Sequence, residues 1–179
     1  MAALGRSLLV VTLLGLSACA EPARRGAEPP LGGRTSAAAF VYTTTTGEEL
    51  SSRTTRGRAT AIVFVTTYDL ASQLLVRRLE QVVRSQRPRV NAAAIVLEPP
   101  KYAVMAEAFR TALELSFPVA MADQGIGESG PFGVIDRVPT LIVLDRDGSE
   151  TTRRAGVVSE GELRQALAAA SERGFALDP

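Results

Sequence analysis

Serine, aspartate and cysteine are the side chains of this 179-residue chain from which reaction chemistry could be built. Ser72 follows Asp69 by three residues, a spacing at which a carboxylate could serve as base to a hydroxyl on one helical turn. Histidine is absent, and the single lysine, Lys101, is remote in sequence, so Asp69 is the only group near enough to activate Ser72. Two polar residues at the start of a helix are more often its cap than a catalytic pair. Cys19 is the only cysteine, which excludes an internal disulfide. Zinc, copper and haem sites draw on His or Cys ligands, so no metal and no cofactor is expected. Gly125-Ile-Gly127-Glu-Ser-Gly130 has the spelling of a dinucleotide fingerprint, but Pro131 follows where a long helix should open, and a loop is the better reading. Asp145-Arg-Asp147-Gly148 lacks the remaining ligands of a calcium loop and suits a hairpin turn.

The elements that must position these groups show in the hydropathy pattern. Phe40-Val41-Tyr42 is a short strand candidate, followed by a threonine run and Gly47. Residues 59–66 form an almost unbroken β-branched and apolar run, which suits a strand covered on both faces, as in a sheet with helices on each side. Leu70, Leu74, Leu75, Leu79, Val82 and Val83 then recur at helical spacing, placing Asp69 at a helix start. Residues 90–97 read as a second buried strand. Pro99-Pro100 opens a second helix with Tyr102, Met105, Phe109 and Leu113 expected on one face. Residues 117–121 suit a short strand at a sheet edge. Residues 141–144 and 151–154 read as a hairpin about the turn at Asp145–Gly148. Ser159 and Glu162 make a capping box for a last helix carrying Leu163 and Leu167, with Gly174 as its stop. Arg77, Arg78, Arg84, Arg87 and Arg89 form a basic streak on and after the first helix, either a solvated face or a surface for an anionic partner.

The N-terminus carries one arginine, Arg6, then an apolar run from Ser7 to Leu16 that is too short to span a bilayer stably. Leu16-Ser17-Ala18-Cys19 resembles the bacterial lipobox, which implies cleavage before Cys19, acylation of that residue and membrane lipid as a partner. Multiple acyl chains would anchor the protein firmly. Ala20 is not the aspartate of inner-membrane retention, so the lipoprotein analogy leans toward the outer membrane, with the domain facing the periplasm. Residues 20–38 are rich in Pro, Gly and Ala without an apolar period and read as a flexible tether of roughly 25 Å mean span. Three segments follow: a signal peptide over 1–18, lipidated Cys19 and tether over 19–38, and one domain over 39–179. With 20 basic and 19 acidic residues, the balance does not favour nucleic acid as a partner.

From Arg56 to Ser72 the sequence resembles, without a gap, the TlpA-like periplasmic thiol reductases of the redoxin group. Their pattern there is Arg-Gly-Lys, an apolar strand, Phe-Trp-Ala-Thr-Trp and Cys-Pro-Pro-Cys. Phe117-Pro118-Val119 is similar to a second family segment. Val138-Pro139-Thr140 with the turn at Asp145–Gly148 resembles its cis-proline loop and hairpin, and Gly156–Leu163 the entry to its last helix. The resemblance implies an α/β, thioredoxin-like fold, a central mixed sheet flanked by helices, with an N-terminal β-hairpin extension. It also marks a departure. Tyr68 stands where the family has Trp, Asp69 at the nucleophilic Cys, and Ser72 at the resolving Cys. Thiol–disulfide exchange needs a thiolate and a second thiol, which neither a carboxylate nor a hydroxyl replaces.

The expectation is therefore a redox-inactive, lipid-anchored protein of this fold, without catalytic residues. Its binding face for a periplasmic protein or peptide would comprise Tyr68, Asp69, Ser72, Val138 and Pro139. The alternative is an enzyme acting on a small substrate in the same groove without thiols.

Overall fold

The computed structural model describes residues 39–173; the expected signal peptide, Cys19, the tether and Gly174 lie outside the described residues. The chain order is β1 (Val41–Thr44), β2 (Glu49–Ser51), α1 (Ser52–Thr55), β3 (Thr60–Val65), α2 (Leu70–Ser85), β4 (Asn91–Val96), α3 (Ala103–Ala112) and β5 (Val119–Met121). It continues with β6 (Ser129–Gly130), β7 (Gly133–Val134), β8 (Thr140–Leu144), β9 (Glu150–Ala155) and α4 (Glu160–Glu172). Seven strands form a mixed sheet in the order β2-β1-β5-β4-β3-β8-β9. At its centre β3 lies parallel to β4, with Val65 opposite Val96, and antiparallel to β8, with Phe64 opposite Thr140.

All six residues of β3 are buried, as its apolar run requires, because both faces are covered. Ala61, Val63 and Val65 face one apolar layer, to which α2, α3 and α4 contribute Leu75, Leu79, Phe109, Leu163 and Leu167. Ile62 and Phe64 face the other, which holds Phe40, Tyr42 and Leu50 from the N-terminal hairpin and Phe132 and Ile135 from the β5–β8 connection. The longer helices thus all lend their buried side chains to one layer, and loop and hairpin residues close the second.

Three local expectations are corrected. The segment 117–121 is not an edge: β5 pairs with β4 on one side and β1 on the other, because the N-terminal hairpin extends the sheet past it. The predicted face of α3 is rotated. Phe109 and Ala106 are buried, whereas Met105 is exposed on the same helix, and Tyr102, also exposed, belongs to a separate 3-10 turn at Pro100–Tyr102. The arginine streak is not one surface either. Arg78 Nη1 donates to the Val158 carbonyl at 3.1 Å, and Arg84 pairs with buried Glu80, which also accepts from the Ser116 amide at 2.9 Å.

The predicted cap of the last helix and the predicted hairpin turn are present. Ser159 and Glu162 form a reciprocal capping box at the start of α4. The Asp145–Gly148 turn joins β8 to β9, with Gly148 at φ 89°. Asp145 Oδ1 accepts the Asp147 and Ser149 amides, which explains its acidic residues as turn chemistry.

Candidate functional site

Asp69 ends the loop leaving β3 and is the N-cap of α2, in extended conformation. Its carboxylate accepts the Ala71 amide at 3.3 Å, the Ser72 amide at 2.8 Å and the Ser72 hydroxyl at 2.7 Å. Partial burial pushes the Asp69 carboxyl up, and the three hydrogen bonds to Ser72 and Ala71 more than offset it, holding the group below its ordinary value. The helix dipole acts in the same direction.

Ser72 is 0% exposed. Its hydroxyl donates to Asp69 and accepts the Thr66 amide at 3.4 Å, so one side chain bridges the end of β3 and the first turn of α2. A substrate would have to displace both partners to reach it, which disfavours the nucleophile role. Thr66 Oγ1 beside it is buried without a hydrogen-bond partner among the described residues.

Tyr68 and Leu70 flank this closed turn and point outward, 75% and 78% exposed. Burial of such side chains on association is the usual source of binding energy. The other side of the site comes from the loop before β8. Because Thr140 opposes Phe64, continuation of the register places Pro139 beside Val65 and Val138 beside Thr66, the residues that lead to Asp69. The Val138–Pro139 peptide is cis, Pro139 is buried and its carbonyl accepts the Gly156 amide at 2.7 Å. Topology therefore brings Tyr68, Asp69, Ser72, Val138 and Pro139 to one end of the sheet.

Glu98 also belongs to this end of the sheet. It follows β4, is nearly buried, and its Oε1 accepts both the Thr67 amide and, at 2.8 Å, the Thr67 hydroxyl. Gln73 Nε2 donates to the Thr67 carbonyl at 3.1 Å from the other side. These contacts hold the residue preceding Tyr68. A lone glutamate after an apolar strand gave the only available signal, and it carries no period. The 125–130 segment is a loop, as expected, braced by hydrogen bonds. Gly127, at φ 83°, donates to the Ile135 carbonyl at 2.8 Å, Glu128 accepts the Gly125 amide, and Ser129–Gly130 begins a two-stranded ribbon with β7. No helix opens there, so the glycines form no phosphate cradle. Among the described residues, no group of three or more His, Cys, Asp or Glu is placed to hold a metal, and no helix is long and apolar enough to cross a membrane.

The cap makes a direct prediction. Asp69→Asn keeps a capping side chain and removes its charge, and is expected to lower stability at neutral pH by roughly 0.3–1 kcal/mol, the worth of a negative charge at a helix N-terminus. Because the folded-state pKa is depressed, the carboxylate's contribution is complete above the unfolded pKa and is lost as pH falls through the folded one. Urea melts at neutral and acidic pH should show the gap between parent and variant closing in acid; a constant gap would mean the charge is irrelevant.

The architecture and the paired loops at this end of the sheet define a thioredoxin-like fold. The solved structures most similar in this way include thiol:disulfide interchange proteins. A thioredoxin-family thiol:disulfide interchange protein from Chlorobium tepidum TLS superposes with a TM-score of 0.65 at 19% identity, covering 78% of this chain and 97% of that one. A DsbF homologue from Corynebacterium diphtheriae gives 0.67 at 14% identity, covering 76% and 87%. The exposed lipoprotein thioredoxin of Streptococcus pneumoniae strain TIGR4 gives 0.61 at 14%, covering 74% and 99%. At these identities the likeness is one of fold. The sequence matches no protein-family model, and no curated protein resembles it closely enough to count as a relative.

Proposed function

We propose that this chain is a redox-inactive, thioredoxin-like lipoprotein of the bacterial envelope, held to the membrane through Cys19, whose Tyr68–Pro139 face binds an extended segment of a protein or peptide. The observation that carries the reading is the first turn of α2. Its amides are bound to the Asp69 carboxylate, its Ser72 hydroxyl is buried between two partners, and Tyr68 and Leu70 stand exposed around it. That arrangement offers apolar contact area without a reactive group. The absence of any cysteine after Cys19 removes the thiol pair that exchange requires. The lipobox-like Cys19 supports the anchor, and one solved structure of like fold is described as an exposed lipoprotein. Beside the cis-proline loop an extended chain could add main-chain hydrogen bonds, in the manner of strand addition.

The test is a cross-linking pull-down of the lipidated protein from its native membranes, run beside Tyr68→Ala/Asp69→Arg. A second variant, Tyr68→Ala/Leu70→Ser, keeps the cap intact and so separates loss of the face from loss of stability. Capture of a defined partner by the parent, with at least tenfold less in both variants, is the expected result. Equal capture by all three would move the binding surface elsewhere.

A further inference from the structure

We propose that Glu98 is a positioning residue of the Tyr68 face: its buried carboxylate, working with Gln73, fixes Thr67 and thereby sets where Tyr68 stands. The inference rests on the reading of that face as a binding surface.

Residues 66–69 join β3 to α2. Tyr68, the most exposed of them, has no hydrogen bond or aromatic contact of its own among the described residues. Its position therefore comes from the residues on either side. Asp69 is held by the first turn of α2. Before it, residues 66–68 make no backbone–backbone hydrogen bond among the described residues. The Thr66 amide goes to the Ser72 hydroxyl. The Thr67 amide and hydroxyl both donate to Glu98 Oε1, and the Thr67 carbonyl accepts Gln73 Nε2 at 3.1 Å. All three polar groups of Thr67 thus end on side chains, not on a sheet or helix ladder.

The backbone around Glu98 is itself fixed. The Leu97 amide donates to the Val65 carbonyl at 2.9 Å, so the β3–β4 ladder runs to the residue before it. Pro99 follows and disfavours a helical backbone at Glu98. The side chain is buried and has no ion pair among the described residues, so charge pairing does not explain its presence. A buried carboxylate is costly unless donors satisfy it, and here both donors belong to one loop residue. Gln73 completes the hold from α2, where its backbone amide donates to the Asp69 carbonyl at 3.1 Å.

An aromatic residue already held in its bound position loses less freedom on association than one on a loose loop. Glu98 therefore contributes to binding without touching the partner, and the β4–α3 corner controls a face built by β3 and α2.

The experiment compares the parent full chain with Glu98→Ala, Glu98→Gln and Gln73→Ala. Glutamine keeps a carbonyl oxygen for both Thr67 donors, whereas alanine removes it. The binding probe is a peptide selected from a random displayed library on the parent and lost on Tyr68→Ala. Its affinity should fall about tenfold in Glu98→Ala, less steeply in Gln73→Ala, and stay within about twofold in Glu98→Gln. Amide NMR should show the Thr67 and Tyr68 signals displaced and exchanging faster in Glu98→Ala, with exchange in Glu98→Gln close to the parent. Gln73→Ala, at a half-buried helix site, decides the matter if Glu98→Ala fails to fold. Parent-like affinity in the alanine variants overturns the proposal. So does an equal loss in Glu98→Gln, which would make the charge responsible and not the hold on Thr67. Failure to select any Tyr68-dependent peptide overturns the face reading instead. The amide spectra then decide the positioning role alone, and unmoved Thr67 and Tyr68 signals in Glu98→Ala would end it.

Discussion

Asp69→Cys/Ser72→Cys is expected to show thiol–disulfide exchange, while the parent chain stays at background in the same assay. Thioredoxin-type exchange needs a nucleophilic thiolate at a helix N-terminus and a second thiol three residues on. The backbone already supplies that setting. The Ala71 and Ser72 amides that now hold the Asp69 carboxylate are placed to stabilise a thiolate at position 69, and the helix dipole adds to them. Position 72 is fully buried, as suits a resolving thiol shielded until the first has reacted. The new thiol at position 69 should titrate below the free value of about 8.5. Loss of the cap would cost about 1 kcal/mol, tolerable in a domain of this size. The measurement is turbidity from reduced insulin in the presence of dithiothreitol, with parent and single variants as controls. A double variant that folds, presents both thiols to a maleimide and still fails to accelerate reduction would show that the loop geometry, and not only the missing sulfur, departs from the redox pattern.

The second large effect concerns the cover of the sheet. Phe132→Ala is expected to destabilise the domain by about 3–5 kcal/mol, the usual range for emptying a buried aromatic site. Phe132 is 5% exposed, its ring 5.6 Å from that of Phe64 at an edge-on angle and 5.1 Å from that of Phe40. It joins the central strand to the N-terminal hairpin on the face that α2, α3 and α4 do not cover. Its backbone carbonyl also accepts Arg153 Nη2 at 2.8 Å, so collapse around the void would disturb β9. Equilibrium urea unfolding, with the change read in the midpoint at constant slope, checks the value. A change below about 1 kcal/mol would mean that the β5–β8 connection contributes little to the second core layer. Val134→Ala, on an exposed site in the same connection, is the control.

Both predictions involve residues that the sequence describes unequally. Asp69 is legible because an acidic residue before a helical apolar period is a cap wherever it occurs, and a cap depends on neighbours two and three residues away. Ser72 is half legible. Its helical position could be read, but its burial comes from Thr66, whose amide reaches it only because β3 and α2 pack together. Phe132 lies between Pro131 and Gly133 in a segment with no period of either kind, and only its neighbours reveal it as core. Glu98 is similar: it follows β4 in sequence, and its partner Thr67 is reached through the β3–β4 pairing.

Most elements, and the chemistry open to them, follow from local sequence. It set the buried strand at β3, the cap of α2 and the Leu75, Leu79 and Val82 part of its apolar stripe, the capping box of α4 and the β8–β9 turn, whereas Leu70 and Leu74 of that stripe are exposed. It also determined that no cysteine follows Cys19, which no fold can alter. Long-range packing is what puts β5 inside the sheet, closes the second layer with loop aromatics rather than a long helix, and turns Met105 outward. It likewise brought Arg56, Arg58, Arg87, Arg89 and Arg146, from three loops distant in sequence, to one end of the sheet. Each of these depends on which strands become neighbours, and strand pairing joins residues far apart in sequence through a free energy that no local window contains.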